Sequence, residues 1–138
     1  MASFNKFQPF VENLAEKVHN LGADQLVVAL TNVAPSAANG VLADITQVSY
    51  TYCSSRNITT VSSGQSGGTY KLTLQDLVLT ASGGSVGPFR YVVLYNDAPS
   101  SPLDPLIGWY DYGSSITLND GETLTIDFDD SNGVLTIA

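Results

Sequence analysis

Cysteine occurs once in this chain, at Cys53, which excludes an internal disulfide and any cysteine zinc cluster. A lone thiol of this kind reads as a small buried structural side chain rather than a reactive one. No apolar run approaches the roughly 20 residues that a membrane span requires, so no membrane contact is expected. The opening MASFNKFQPF lacks a basic start followed by an apolar core and a small-residue cleavage site, and a classical secretion signal is not expected either. The match of Asn57-Ile58-Thr59 to a glycosylation acceptor is therefore read as chance. Lysine and arginine are scarce: 5 against 13 acids, for a net charge of −8. Such a surface repels phosphate, so no nucleic-acid partner is expected. The single histidine, His19, has no neighbouring ligand in the sequence, and no metal or cofactor site is expected.

What the chain does have is unevenly distributed. All five bases lie at or before Arg90, and the eight acids after it (Asp97, Asp104, Asp111, Asp120, Glu122, Asp127, Asp129 and Asp130) meet no lysine or arginine in their own stretch. These acids read as solvated turns, or as a face that meets a basic partner. The segment from Gly83 to Gly113 holds six of the 13 aromatics and four of the 6 prolines, together with the only tryptophan. It reads as a strand, a proline-marked loop and a second strand.

Phe7, Phe10, Val11, Leu14, Val18 and Leu21 recur at intervals of three and four, which predicts an amphipathic helix over about residues 8 to 20, with Pro9 in its first turn and Gly22 as its stop. Lys17 then sits in the last turn, where it suits the dipole. The residues before the helix form an arm, whose Phe4 and Phe7 pack on the same protein or on a neighbouring subunit. Beyond Asp24 the pattern alternates. Strands are predicted at Leu26 to Leu30, at Ala43 to Tyr52 with a slip near Gln47, weakly at Arg56 to Val61, at Tyr70 to Leu74, and at Phe89 to Tyr95 in a central position. Ser62 to Gly68 reads as a flexible turn. Asn119-Asp120-Gly121 predicts a tight hairpin between Ile116-Leu118 and Leu124-Phe128, and Asn132-Gly133 repeats the device before Val134 to Ile137. Eight or nine short strands at such spacing mean an antiparallel β-sandwich, Ig-like or jelly-roll-like, or an open barrel, with one N-terminal amphipathic helix against one side. The chain reads as one domain: an arm and helix over 1–22 and the sandwich over 23–138.

No catalytic residue emerges. Gly64-Gln65-Ser66-Gly67-Gly68 and Gly83-Gly84-Ser85-Val86-Gly87 match the G-x-S-x-G elbow of hydrolases, but neither opens a helix, and His19 precedes both serines. The run Asp127 to Gly133 fails the calcium-loop pattern at its fifth, sixth and twelfth positions and reads as a turn. Strands could bring Asp104 or Asp111 near Glu122, but no separation is readable. Trp109, Tyr110 and Tyr112 form an aromatic group suited to an interface or to stacking on sugars. Alternation places Trp109 on one strand face and the two tyrosines on the other, one set core and the other surface.

The phrases FNKFQPFVENLAEKVHNLG, LTNVAPSAANGVLADI, SGGSVGPFRYVVLYND and DPLIGWYDYGSSITLNDGETLTIDFD resemble, over nearly the whole chain, a family of small virion proteins of tailed bacteriophages. The resemblance implies a non-enzymatic structural protein made in the host bacterial cytoplasm, without catalytic residues. It points first to a capsid decoration (cement) protein on the outside of the head, with the major capsid protein and copies of itself, as a trimer, for partners. A tail or tail-tip component is the second reading, and a β-sandwich glycan-binding module for host attachment the third. Interface candidates are Phe4, Phe7 and Phe10 on the arm, with Trp109, Tyr110 and Tyr112.

Overall fold

In the computed structural model, which describes residues 2–138, the chain opens with a short strand, β1 (Asn5–Lys6), and a single α-helix, α1 (Gln8–Ala15). Pro9 lies in the first turn of α1, where its missing N–H costs nothing. The helix is shorter than its apolar periodicity predicts. Lys17 adopts a left-handed backbone, φ 71°, and the N–H groups of Val18 and Lys17 turn back onto the carbonyls of Asn13 and Leu14. This is a Schellman ending with lysine where glycine is usual. Gly22 therefore plays no part in stopping the helix, and Lys17 follows its last turn. The early stop lets the chain drop His19 and Leu21 into the core as loop residues, which accounts for the continued apolar spacing.

The rest is antiparallel β-structure in a sandwich-like arrangement of three sheets. Strands follow in the order β2 (Leu26–Thr31), β3 (Asn57–Ile58), β4 (Thr60–Ser66), β5 (Thr69–Leu74), β6 (Leu77–Thr80), β7 (Val86–Asn96), β8 (Leu106–Leu118), β9 (Thr123–Ile126) and β10 (Leu135–Ile137). The largest sheet runs β1-β8-β7-β2-β3, a second runs β10-β5-β4, and β6 pairs with β9. β7 is central, as its apolar residues on both faces predict, and every residue of β2 beside it is buried. One buried cluster draws on all three sheets and on the arm: Phe7 and Phe10 share it with Val28, Leu74, Leu79, Phe89, Ile126 and Phe128.

Four sequence expectations change. The stretch Ala43 to Tyr52 is not a strand; it opens with one turn of 3-10 helix at Leu42–Asp44 and continues as irregular chain along the edge of β2. There the Val48 N–H and the Tyr50 hydroxyl meet the carbonyl and N–H of Leu30, and Arg56 donates to the Val28 carbonyl at 2.6 Å. Side chains thus complete an edge that a strand would otherwise cover. The segment predicted as a loose turn at Ser62 to Gly68 is mostly β4, closed to β5 by Gly67 and Gly68 alone, whose φ angles of 59° and 87° suit a two-residue hairpin. Asn119-Asp120-Gly121 makes a turn but no hairpin: β8 pairs with β7, and β9 with β6. Likewise β10, after Asn132-Gly133, pairs with β5 and not with β9.

Candidate functional site

The N-terminal arm folds onto its own protein. β1 pairs Asn5 with Trp109 and Lys6 with Gly108, and the Phe7 N–H donates to the Ile107 carbonyl. Phe7 is fully buried with its ring centroid 4.6 Å from that of Trp109, and Phe10 is buried against His19 at 5.1 Å. Phe4 lies over Gly108, where any Cβ would collide with its ring, and meets Tyr110 edge-on at 5.7 Å. Phe7 and Phe10, counted as interface candidates, are core residues of the same chain. The division of β8 into a core face and a free face also changes. Trp109 and Tyr110 are both half-buried, the latter between Phe4 and Phe128, and of the three only Tyr112 is exposed, at 52%.

Tyr112 owes its position to a break in β8. Tyr91 pairs with Asp111 but Phe89 with Ile116, so residues 112–115 bulge out of the ladder. Arg90 grips the base of the bulge with a forked contact to Asp111 at 2.8 and 3.0 Å, and Asp111 also accepts the Gly113 N–H at 2.8 Å. The guanidinium, with that N–H, holds the Asp111 carboxyl below the usual carboxylate range. Gly113, at φ 101°, takes a backbone that L side chains rarely adopt. Beside the bulge, Tyr110 and Tyr112 line a hollow of about 290 Å³ with Val92, Leu124, Ile126 and Asp127. Burial, then the carboxylates of Asp127 and Asp129, push the Tyr110 phenol up to about 12, so it remains a neutral hydrogen-bonding group. This arrangement can stack on or bury a flat or apolar group; nothing in it activates a nucleophile.

The acids of the chain are mostly occupied in tying loops. Seven of them accept backbone N–H groups: Asp24, Asp44, Asp76, Asp111, Asp120, Glu122 and Asp129. In the run that fails the calcium-loop pattern, Asp129 takes the N–H groups of Ser131 and Asn132 on one oxygen and the Asn132 amide on the other. Asp104 has Asp97 as its carboxylate neighbour, and burial followed by that neighbour raises its pKa. Asp111 is bound to Arg90, and Glu122 caps Asn119. Of the two elbow-like serines, Ser66 ends β4 and Ser85 directly precedes β7, so neither stands on a strand-to-helix turn. Burial, its largest cause, also raises the pKa of Cys53, which keeps that half-buried thiol protonated.

One polar cluster was not legible in the sequence. Asn96, at the end of β7 and fully buried, has its carbonyl oxygen fixed by the Ala98 N–H at 3.0 Å, so its amide nitrogen faces both Asp24 (2.7 Å) and His19 Nδ1 (3.0 Å). With both amide hydrogens donated, His19 Nδ1 must accept, and its proton sits on Nε2. His19 Nε2 is buried and has no hydrogen-bond partner among the described residues. A donor left in this state costs about 1–3 kcal/mol. Burial lowers the His19 pKa against the opposing charge of Asp24, and so favours the neutral ring. His19 lies off the apolar spacing that runs through Val18 and Leu21, so no sequence signal marked it for the interior. In comparisons with known proteins, no protein-family model, no curated protein and no solved structure matches the chain.

Proposed function

We propose that the chain is a non-enzymatic structural protein of a tailed-bacteriophage virion, a decoration protein that docks on the outer surface of the assembled head beside the major capsid protein and copies of itself. The observation that carries the docking is Tyr112, exposed on a bulge that Arg90, Asp111 and Gly113 hold in place. An exposed aromatic ring on an anchored backbone, next to an apolar hollow, has the character of a binding hot spot, because little backbone freedom remains to be lost on contact. The virion assignment itself rests on the resemblance of the phrases at Phe4 to Gly22, Leu30 to Ile45, Ser82 to Asp97 and Asp104 to Asp129. Support for a rigid, load-carrying part comes from the loops tied by carboxylates and from the arm folded into its own core. Many copies binding weakly at symmetric positions would be held by avidity.

The test is a reconstruction of purified particles carrying the wild-type protein or Tyr112→Ala. Density on the head shell that is lost in the variant is expected. Density confined to tails would assign the chain to the tail or tail tip instead. A second reading follows from the same hollow, since two tyrosines on one strand beside Asp127 suit a sugar ring, with stacking on one side and hydrogen bonds on the other. Retention of the isolated protein on host glycan, abolished in Tyr112→Ala, would favour that reading.

A further inference from the structure

A cleft of about 500 Å³ opens between residues 17–22 and the core-facing side of β4, β5 and β10. Its volume is typical of a small-molecule site. Leu14, Leu21 and Ile137 supply an apolar wall, and Ile137 is still 45% exposed there. The polar lining is rich in donors, with the Asn20 amide the one side chain that also brings a carbonyl oxygen. Lys17 contributes an ammonium, and Ser63 and Tyr70 share one hydrogen bond at 2.8 Å, which leaves one of their two O–H groups free to donate outward. His19 forms part of the wall, and its Nε2–H lacks an acceptor among the described residues. Among the described residues no Asp or Glu side chain lines the cleft, although the chain carries 13 acids, and Lys17 is the one charged side chain in the lining.

We infer that this cleft binds a free aliphatic carboxylic acid as its monoanion, the carboxylate on Lys17 and the Ser63–Tyr70 hydroxyl pair and the hydrocarbon chain along Leu14, Leu21 and Ile137. A single cation matches one negative charge rather than the two of a phosphate. The apolar wall requires a tail, which excludes acetate as a tight ligand. The inference stands apart from the virion reading: it uses a different face of the protein and neither tyrosine of the hollow.

Octanoate is the probe, titrated into the full-length, isotope-labelled protein while backbone amide shifts are followed. Saturable shifts confined to residues 14–22, 63, 70 and 137 are expected, with octanol weaker by roughly tenfold or more, the value of one charge-assisted contact, and acetate weaker by at least as much because it lacks the methylenes that the apolar wall buries. Lys17→Gly suits the left-handed backbone at that position, so it removes the ammonium without disturbing the turn; octanoate affinity should fall by about tenfold while the melting temperature holds or rises. Ile137→Thr, a β-branched change on an exposed strand position, should weaken octanoate without altering the fold. Absence of saturable shifts, octanol binding as well as octanoate, or unchanged affinity in Lys17→Gly would each overturn the inference. So would a short peptide ending in leucine that occupies the same residues more tightly than octanoate, because a chain terminus would then be the ligand.

Discussion

Lys17 pays a local cost for a global gain. A non-glycine residue in the left-handed region is disfavoured by roughly 1–2 kcal/mol, yet the turn that Lys17 closes is what delivers His19 and Leu21 to the interior. Lys17→Gly should therefore stabilise the protein by about 1 kcal/mol in urea unfolding, offset partly by the freer unfolded chain. His19 supplies a pH dependence of definite sign. Its folded pKa is lowered from 6.5, mainly by burial, so folding favours the neutral ring. That contribution is fully present above the unfolded value of about 6.5 and is lost as pH falls below it, when the unfolded chain takes up the proton first. Asp24 opposes the shift and narrows the window. In His19→Gln, melting temperature should fall less between pH 7 and pH 5 than in the wild type; an equal fall in both would show that other groups govern this range.

At the scale of elements, the arm and the bulge do different work. The arm is a structural clamp: Phe7 is fully buried against Trp109, and Phe7→Ala should cost about 3–5 kcal/mol, as large-to-small changes of a buried aromatic do. Gly108→Ala should displace Phe4 and peel the arm from β8, because the added Cβ would collide with the Phe4 ring and lie 2.7 Å from the Asn5 carbonyl oxygen. Trp109, the only tryptophan, reports both changes as a shift in emission. The bulge should respond in the opposite way. Its Arg90–Asp111 pair is solvent-exposed, so Asp111→Asn should leave melting nearly unchanged while residues 112–115 gain mobility in amide relaxation. A large loss of stability in Asp111→Asn would mean that the pair holds the fold and not the bulge.

Across the whole molecule, the acids explain how a chain with net charge −8 stays compact. Two of these carboxylates at loop ties are more acidic when folded: Asp44, where the N–H groups of Gly40 and Val41 lower the pKa, and Asp129, where the side-chain amide and N–H of Asn132 do. Groups of this kind stabilise above the unfolded carboxylate pKa of about 4 and lose that contribution as pH falls through the lower folded values. Acid unfolding should accordingly show two ranges, one below pH 6.5 that His19→Gln removes and one below about pH 4 that it leaves intact. The two candidate surfaces, the Tyr112 hollow and the Lys17 cleft, each take residues from more than one sheet or from a sheet and the helix loop. Neither could be seen as a motif. Alternation along β8 separated Trp109 from the tyrosines, yet burial depended on Phe4 and Phe128, which lie more than a hundred residues behind and about twenty ahead in the chain.

The fold class and several local elements were determined by the sequence itself. Period-two alternation put β2, β5 and β7 close to where they form, Pro9 marked the start of the helix, and glycines at 67, 68, 121 and 133 marked reversals, since each of these signals acts over a few residues. The tertiary structure decided which strands meet. Asp120-Gly121 demands a reversal of the chain but is silent about partners, and the turn is bolted by Gly121 to the Ala81 carbonyl and by Asp120 to the Gly83 N–H, sending β9 to β6 rather than to β8. The same holds for the edge of β2 covered by Tyr50 and Arg56, for the bulge at Tyr112, and for His19, whose charge state depends on its burial and on Asp24. Each is set by contacts between residues distant in sequence, and the energy of such contacts depends on burial that no local pattern encodes.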